Sequence, residues 1–267
     1  MSGGLTAWVQ GVGFLGPGLP DWPSAAKVLS GAASYDPRPT ALPPLECLPP
    51  AERRRTGKVV RLALSVGLEA TTRAGADAGE LPAVFSSSGG DGENLHEICQ
   101  VLAGAERQIS PTRFHNSVHN AASGYWGIAT GATAASNALC AHDASFGAGL
   151  LEALAQIQID ETAALLIAYD ADYPEPMRSV RPIPDAFAVA LLLTPAGQQG
   201  SLAQLTVDFS AAPAERLSDP QLEALRAQVP AARSLPLLRR IARGERAAVV
   251  LDYLESQRLN VEVSPCH

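Results

Sequence analysis

The stretch that decides the fold runs from Ala134 to Ala153 and reads AASNALCAHDASFGAGLLEA. Its first seven residues have the apolar pattern of a strand, and the residues after Asp143 are the small and apolar residues of a closely packed helix. Asp143 is the single formal charge between Phe114 and Leu151. Stretches with so few charges are usually buried, because ionised groups are costly to desolvate. We therefore interpret Asp143 as either a helix cap or the centre of a functional site.

The composition of the chain argues against several classes of function. Its 267 residues are 46% hydrophobic and 18% charged, which suffices for one large buried core or two small ones. The net charge of −7 argues against a nucleic-acid-binding surface, and we interpret Arg53-Arg54-Arg55 as a solvated helix start. Lys27 and Lys58 are the only lysines, and neither lies in a motif for Schiff-base chemistry or phosphate binding.

The cysteines and the uncharged segments predict the compartment. Cys47, Cys99, Cys140 and Cys266 show neither C-x-x-C pairing nor regular spacing, and no signal peptide is evident, so we expect free thiols in a reducing cytoplasm. The uncharged run from Gly124 to Cys140 is long enough to span a bilayer, but its Asn, Ser, Thr and Gly content favours a packed interior. We predict a soluble protein without a membrane span.

The order of the predicted elements indicates an α/β fold. Strand patterns lie at 5–14, 83–85, 134–140, 163–169, 186–193 and 202–209, and helical patterns at 22–29, 52–74, 93–102 and after Asp143. This alternation predicts a layered core with a mostly parallel, five-stranded sheet. We assign residues 1–210 to this domain. Residues 211–267, with two more helices and two short strands, are predicted to form a small α+β extension that packs on the same core.

Several segments resemble the β-ketoacyl synthases. The segment FHNSVHNAASG at 114–124, the residues from Ile128 to Gly131 and the strand-turn-helix at Asp143 are similar to the central part of that family. Residues 53–75 are similar to its long early helix, with Glu69-Ala70 and Ala74-Gly75 in the expected places. The resemblance covers roughly residues 5 to 210. It implies the N-terminal half of the thiolase-like fold, an α/β/α unit that full-length members repeat.

In this family a cysteine nucleophile occupies the turn from the central strand into the buried helix, where the helix N-terminus stabilises its thiolate. An ungapped count from Asn120 places this position at Asp143, whereas Cys140 requires a three-residue deletion after Gly131. We therefore interpret Asp143 as a degenerate nucleophile position, expect no catalytic residue, and keep Cys140 as the alternative nucleophile. A carboxylate at a helix start predicts an N-cap. The other interpretation is a polar contact with an acyl chain or with a partner's active site.

The resemblance also defines which groups are missing. Family members use two histidines, and usually a lysine, from their C-terminal half. This chain ends before that half, has no lysine after Lys58 and has only His267 after His142, so we expect no general acid or base in the usual place. His115 and His119 are four residues apart, but they lack a third ligand, and we expect neither a metal site nor a cofactor.

The resemblance implies a non-catalytic subunit similar to the chain-length factors of type II polyketide systems and to the short ketosynthase-like proteins of aryl-polyene clusters. Such a subunit pairs with a full-length β-ketoacyl synthase as a heterodimer, meets an acyl carrier protein and helps to shape the acyl-chain tunnel in polyketide, aryl-polyene or fatty-acid-like biosynthesis. Ketosynthases dimerise through the central strand and the segment before it. The implied tunnel or interface residues are Phe114, His115, Asn116, His119, Asn120, Tyr125, Trp126 and Phe146.

Three alternatives stay open at the level of the sequence. For Tyr125 and Trp126, the competing interpretation is ordinary core packing. For the whole chain, one alternative is an active β-ketoacyl-carrier-protein synthase or acyltransferase that uses Cys140 as its nucleophile. The other is a scaffold that binds carrier protein without shaping the acyl chain.

Overall fold

A mixed β-sheet organises the chain. The computed structural model describes residues 4–266, so Met1–Gly3 and His267 of the predicted ranges lie outside the described residues. Within residues 4–266, eight strands follow the order β3-β2-β4-β5-β1-β6-β8-β7 across the sheet. They are β1 (Leu5–Leu15), β2 (Ala83–Ser86), β3 (Ser136–Leu139), β4 (Ala164–Asp170), β5 (Phe187–Thr194), β6 (Ala203–Ser210), β7 (Ala247–Leu251) and β8 (Arg258–Pro265).

The strands form where the sequence predicts them, but the sheet is neither five-stranded nor mostly parallel. Only β2 makes parallel pairs in the described sheet, with β3 on one side and β4 on the other. The remaining neighbours pair antiparallel. The prediction was wrong on this point because an apolar strand pattern reports burial and not the direction of the strand. The α/β class itself is confirmed.

Helices cover both faces of the sheet, as α/β/α layering requires. β4 shows the two faces, because Leu166 belongs to one buried cluster and the next residue, Ile167, to the other. The helices are α1 (Trp22–Ser30), α2 (Pro50–Arg53), α3 (Lys58–Ala74), α4 (Gly92–Ala103), α5 (Pro111–His115), α6 (Ala121–Thr130), α7 (Ser145–Asp160), α8 (Met177–Val180), α9 (Pro220–Gln228) and α10 (Leu235–Arg243), with 3₁₀ turns η1 (His142–Ala144) and η2 (Pro230–Ser234).

The long early helix is shorter than predicted. The pattern over 52–74 predicts one helix, whereas the structure has α2 and α3 with a break between them. Gly57 takes an extended backbone (φ −79°, ψ 179°) directly before α3. A Cβ at Gly57 would lie 2.4 Å from Asp91 Oδ2, so glycine lets the loop that carries Asp91 approach the start of α3.

The segment after residue 210 joins the same sheet. The β7–β8 hairpin pairs with β6 through β8, with Val207 opposite Val261. Leu235, Leu237 and Leu238 of α10 are fully buried in the cluster that also contains α7. The domain boundary at residue 210 stays a prediction. No helix in the described part of the chain is long and apolar enough to cross a membrane.

Candidate functional site

A sharp turn joins β3 to α7. After Cys140 and Ala141 the chain enters η1, and His142 has a φ of 51°, in the left-handed region that residues with a Cβ seldom adopt. The hydroxyl of Ser145 fixes this conformation, because its Oγ accepts from Ala141 N at 3.1 Å and donates to His142 O at 2.7 Å. Asp143 is therefore presented at the start of α7 by a locally strained and internally bonded turn.

The small residues of α7 allow it to approach the sheet closely. A Cβ at Gly149 would lie 2.8 Å from Leu166 Cδ1 and 2.8 Å from Ser86 Cβ. The Ser86 hydroxyl donates to Ser145 O at 2.6 Å, which ties the end of β2 to the first residue of α7. The small-residue pattern that the sequence shows after Asp143 thus serves to place the turn against the ends of the strands.

The side chain of Asp143 lies between two arginines. Arg181 Nη2 donates to Asp143 Oδ1 at 2.8 Å, and Arg233 Nη2 donates to Asp143 Oδ2 at 3.1 Å. We call these three residues the arginine clamp. The predicted N-cap role of Asp143 is wrong, because no side-chain cap hydrogen bond forms at η1 or at α7. The carboxylate instead satisfies two charged donors that are distant in sequence.

The clamp stabilises the ionised form of Asp143. Partial burial raises the pKa of this carboxyl, but the hydrogen bond from Arg181 and the charges of Arg233 and Arg181 outweigh it and hold the pKa below its usual value. Arg181 Nη1 also lies 2.7 Å from His142 Nε2, and His142 Nδ1 lies 3.5 Å from Asp143 Oδ1. An arginine nitrogen can only donate, so His142 Nε2 is the acceptor in its contact with Arg181.

A second carboxylate, Asp170, is buried at the end of β4. Its Oδ1 accepts from Ser88 N at 2.8 Å and its Oδ2 accepts from Ala231 N at 2.8 Å. Burial raises the pKa of Asp170 to about 6, against the opposing effect of these hydrogen bonds and of the Arg181 charge. Asp170 thus joins the loop after β2 to η2. Sequence reasoning missed it, although an Asp directly after the apolar run 163–169 was a usable signal.

Cys140 lies beside this site and not within the clamp. It is exposed, and its Sγ donates to Ser88 O at 3.1 Å. Among the described residues, no histidine forms a hydrogen bond with the Cys140 thiol. His119 Nε2 lies 3.0 Å from Leu139 O, so that ring is engaged by the backbone of β3. Within residues 4–266, the alternative nucleophile therefore has no general base in hydrogen-bonding contact.

Half of the predicted interface residues are core residues. Tyr125, Trp126 and Phe146 are each 1% exposed. The phenol of Tyr125 donates to Asn116 Oδ1 at 3.1 Å, and Asn116 Nδ2 donates to Arg55 O at 2.7 Å. Tyr125 and Trp126 are thus packed in the core, and none of the four buried side chains, of which Asn116 is the fourth, lies at the surface of the chain. Their assignment to the wall of an acyl-chain tunnel stays a prediction.

The other predicted residues are exposed or half-buried, and two of them, His119 and Asn120, lie at the open edge of the sheet. β3 is the terminal strand, and His119 and Asn120 line a surface depression of about 610 Å³ together with Ser136 and Leu139. His115 is exposed and its ring lies edge-on to Tyr125. Three large apolar side chains are exposed nearby in the sequence: Phe114 (68%), Val118 (53%) and Ile128 (50%). We call residues 114–120, Ile128 and β3 the uncharged edge.

The sequence predicts that the whole charge-poor stretch from Phe114 to Leu151 is buried, and the exposure of the uncharged edge shows that this prediction was wrong. In the described chain, most of residues 114–120 and 134–141 are exposed or half-buried, Tyr125 and Trp126 of α6 are buried, and α7 after Ala144 packs inside. Exposed apolar residues are a common property of protein–protein contact surfaces. The carboxylate of Glu152, from α7, also lines the depression at β3, where it accepts from Asn137 Nδ2 at 2.7 Å. Among residues 4–266, no group of three or more His, Cys, Asp and Glu side chains has a geometry that could hold a metal ion.

The chain was compared with protein-family models, curated proteins and solved structures. Residues 22–255 match the family model described as the β-ketoacyl synthase N-terminal domain. None of the curated proteins matches the chain significantly. One similar solved structure is a ketosynthase (ApeO) in complex with its chain length factor (ApeC) from Xenorhabdus doucetiae, at 27% identity, a TM-score of 0.73, and coverage of 97% of this chain and 99% of that chain.

Two further structures share the fold at lower identity. The ishigamide ketosynthase/chain length factor aligns at 14% identity and a TM-score of 0.73, covering 98% of this chain and 100% of that chain. The complex AntDE:AntF, a type II acyl-carrier protein with its ketosynthase bound to the hexaketide, aligns at 11% identity and a TM-score of 0.77, covering 98% of this chain and 100% of that chain. The resemblance stated from the sequence is confirmed: the chain has the thiolase-like fold and belongs to the family of β-ketoacyl synthase N-terminal domains.

Proposed function

We propose that this chain is a non-catalytic subunit of the chain-length-factor type, which pairs with an active β-ketoacyl synthase and helps to shape the tunnel for its acyl chain. The arginine clamp is the observation that carries the proposal. Asp143 stands at the turn to which the ungapped count from Asn120 assigns the family's nucleophile, and both of its carboxylate oxygens accept from arginines. A carboxylate contains no sulfur, so Asp143 can neither act as a thiolate nor carry the acyl chain as a thioester.

The partner surface that we propose is the uncharged edge. The carbonyls of Ala135 and Leu139 accept from Ala83 N and Ser87 N. By the alternation of a strand, Ser136 and Ala138 direct their backbone groups away from β2. An unpaired strand edge with exposed apolar side chains beside it is a template for pairing with another strand. The solved complex of a ketosynthase with its chain length factor supports a ketosynthase as the occupant.

The proposal extends to the carrier protein and to the compartment. A solved relative of the same fold is bound to an acyl-carrier protein, and a subunit that shapes an acyl tunnel works on chains that a carrier protein delivers. We place this complex in the cytoplasm, in agreement with the four free cysteines of the described chain.

Co-expression with a full-length β-ketoacyl synthase from the same organism tests the proposal. We expect a heterodimer by size-exclusion chromatography and native mass spectrometry. We also expect elongation of a carrier-bound acyl chain only when both subunits are present. Absence of a stable complex, or a product of the same length without this chain, would contradict the proposed role.

A pair of matched variants tests the surface. Phe114→Asp places a charge on the uncharged edge, where the side chain is 68% exposed, and we expect it to abolish the heterodimer. Phe209→Asp is the control, because Phe209 is 60% exposed on β6, which lies five strands away from β3. Both variants are expected to keep the unfolding midpoint of the isolated chain. Equal effects of the two variants on pairing would place the interface elsewhere.

Acyl labelling separates this proposal from an enzyme that uses Cys140. We expect no covalent mass increase after incubation with an acyl thioester of the carrier protein. Stoichiometric acylation that maps to Cys140, and that Cys140→Ser abolishes, would overturn the non-catalytic assignment in favour of a synthase or acyltransferase.

A further inference from the structure

The arginine clamp joins three separate segments of the chain. Asp143 lies on η1, Arg181 follows α8 and Arg233 lies on η2. The two arginines are 38 and 90 residues from Asp143 in the sequence. One carboxylate therefore links the turn before α7 to the connection after β4 and to the C-terminal segment.

The two guanidinium groups are more buried than the carboxylate that they bind. The side chains of Arg181 and Arg233 are 23% and 17% exposed, and that of Asp143 is 43% exposed. The Nε of Arg181 is buried and has no acceptor among the described residues. Two cations held together below the surface repel each other and require an anion between them. Asp143 supplies this anion from the more open side.

The η2 segment is also held at a second point. Ala231 N donates to Asp170 Oδ2 at 2.8 Å, and Ala231 and Ala232 are buried in the main core cluster. Arg233, two residues after Ala231, then reaches Asp143. The segment 230–234 is thus attached at one end to the buried carboxylate of β4 and at the other to the clamp.

We propose that Arg181 and Arg233 form a carboxylate-binding site that the chain fills with its own Asp143, and that this contact fastens the segment 230–234 to the turn before α7. The ligand class of the site is a small monovalent carboxylate, which it accepts from solution when the side chain at 143 no longer supplies one. Binding makes and breaks no covalent bond. The inference holds whether or not the chain pairs with a ketosynthase.

Chemical rescue of Asp143→Ala tests the site. The full chain is studied in sodium formate and in sodium chloride of equal ionic strength. In chloride we expect the unfolding midpoint to fall by roughly 3 to 6 °C, and tryptic cleavage after Arg233 to become about tenfold faster, because the open state of the segment is more populated. Formate is expected to reverse at least half of the fall in the unfolding midpoint and at least half of the increase in cleavage rate. This reversal should saturate as the formate concentration rises.

Two controls make the rescue specific. Asp172→Ala removes a carboxylate that pairs with Lys58 in the described structure, at 2.7 Å, and it should show no difference between formate and chloride. Asp143→Ala combined with Arg233→Ala removes half of the site, and the unfolding midpoint of this variant should no longer respond to formate. A formate effect of equal size in the wild type and in both controls, or none in Asp143→Ala, would overturn the proposal. If Asp143→Ala does not fold in chloride, the yield of refolded protein is compared in formate and in chloride. A higher yield in formate supports the proposal, and equal yields would overturn it.

Discussion

At the scale of the residue, the turn before α7 places whatever side chain stands at 143 between two guanidinium groups and at the first turn of a helix. Both surroundings favour a negative charge. In Asp143 that charge is a carboxylate with a pKa below its usual value. The same surroundings act on any other acidic group, which makes position 143 a direct probe of the electrostatics of the site.

A cysteine at this position should be unusually reactive. We expect Asp143→Cys, made in a Cys140→Ser background, to carry a thiol with a pKa clearly below the ordinary value of about 8.5. Labelling by iodoacetamide at mildly acidic pH, mapped by mass spectrometry, should be about tenfold faster than at Cys140 of the wild type. Adding Arg181→Ala and Arg233→Ala should remove the advantage. Equal labelling with and without the arginines would contradict this account of the turn.

The raised pKa of Asp170 predicts how the free energy of unfolding depends on pH. Its pKa is raised to about 6 in the folded chain from an ordinary value of 3.8, so between these values the folded state binds more protons than the unfolded state. The free energy of unfolding therefore falls as pH rises through this window, by up to about 3 kcal/mol from this group. The charged group that acts on this carboxyl is Arg181, which favours its ionised form and so opposes the effect of burial.

The measurement is denaturant unfolding of the wild type and of Asp170→Asn from about pH 4 to pH 7.5. We expect Asp170→Asn to be less stable at the acidic end, because an amide accepts only one of the bonds from Ser88 N and Ala231 N through its oxygen. Its deficit should shrink as pH rises. Parallel stability curves for the two proteins would show that Asp170 does not titrate in this window.

The residue scale also shows what a sequence can reveal. Asp143 was identifiable because it is one charge in a long neutral stretch, and its place at the strand-to-helix turn could be counted. Arg181 and Arg233 were not identifiable, since each lies in a charged, locally irregular segment and nothing nearby in the sequence marks them as partners. The cap was mispredicted for the same reason: local propensity was outweighed by charged donors that only the tertiary fold brings in.

At the scale of the element, β3 is short and terminal, and its open side carries the groups with which a second strand would pair. The presence and type of the main elements were predictable from apolar periodicity. Strand direction and neighbour were not, because β1 pairs with β5 and β6, which follow it by more than 150 residues. The exposure of Phe114, His115 and Val118 was also beyond the sequence, since a charge-poor segment looks the same in a core and at a contact surface.

A proline in β3 should separate pairing from folding. Ala138→Pro removes an N–H that points to the open edge, and an edge strand tolerates proline on that side. We expect the isolated chain to keep its unfolding midpoint to within about 3 °C and to lose its heterodimer with the ketosynthase. Ala138→Ser, which keeps the N–H, should pair normally. Retained pairing in the proline variant would show that β3 does not add to a partner's sheet.

At the scale of the whole molecule, residues 211–266 behave as part of one core. Leu235, Leu237 and Leu238 are fully buried against elements from the first part of the chain, and burial of each such side chain stabilises the fold by roughly 1.5–3 kcal/mol. Losing the segment also removes Ala231 N from Asp170 and Arg233 from Asp143. These losses together are comparable with the total stability of a typical domain.

Truncation tests whether residues 1–210 can fold without the C-terminal segment. We expect a chain that ends at Ser210 to be insoluble or to lack cooperative thermal unfolding, as measured by near-ultraviolet circular dichroism and size-exclusion chromatography. The full chain should unfold in one transition under the same conditions. A truncated chain that unfolds cooperatively with most of the full midpoint would instead establish residues 1–210 as an independent domain.

The position of β1 in the middle of the sheet has a consequence during synthesis. β1 is made first, but it takes its place between β5 and β6, with Val12 opposite Leu191 and Thr6 opposite Thr206. At a translation rate of about 5–20 residues per second, roughly 10–40 s pass between the synthesis of β1 and that of its last partner strand. β5 is complete at Thr194 and β6 at Ser210, so β1 lacks at least one of its native neighbours until residue 210 has been made. The centre of the sheet therefore cannot be completed before that point in synthesis.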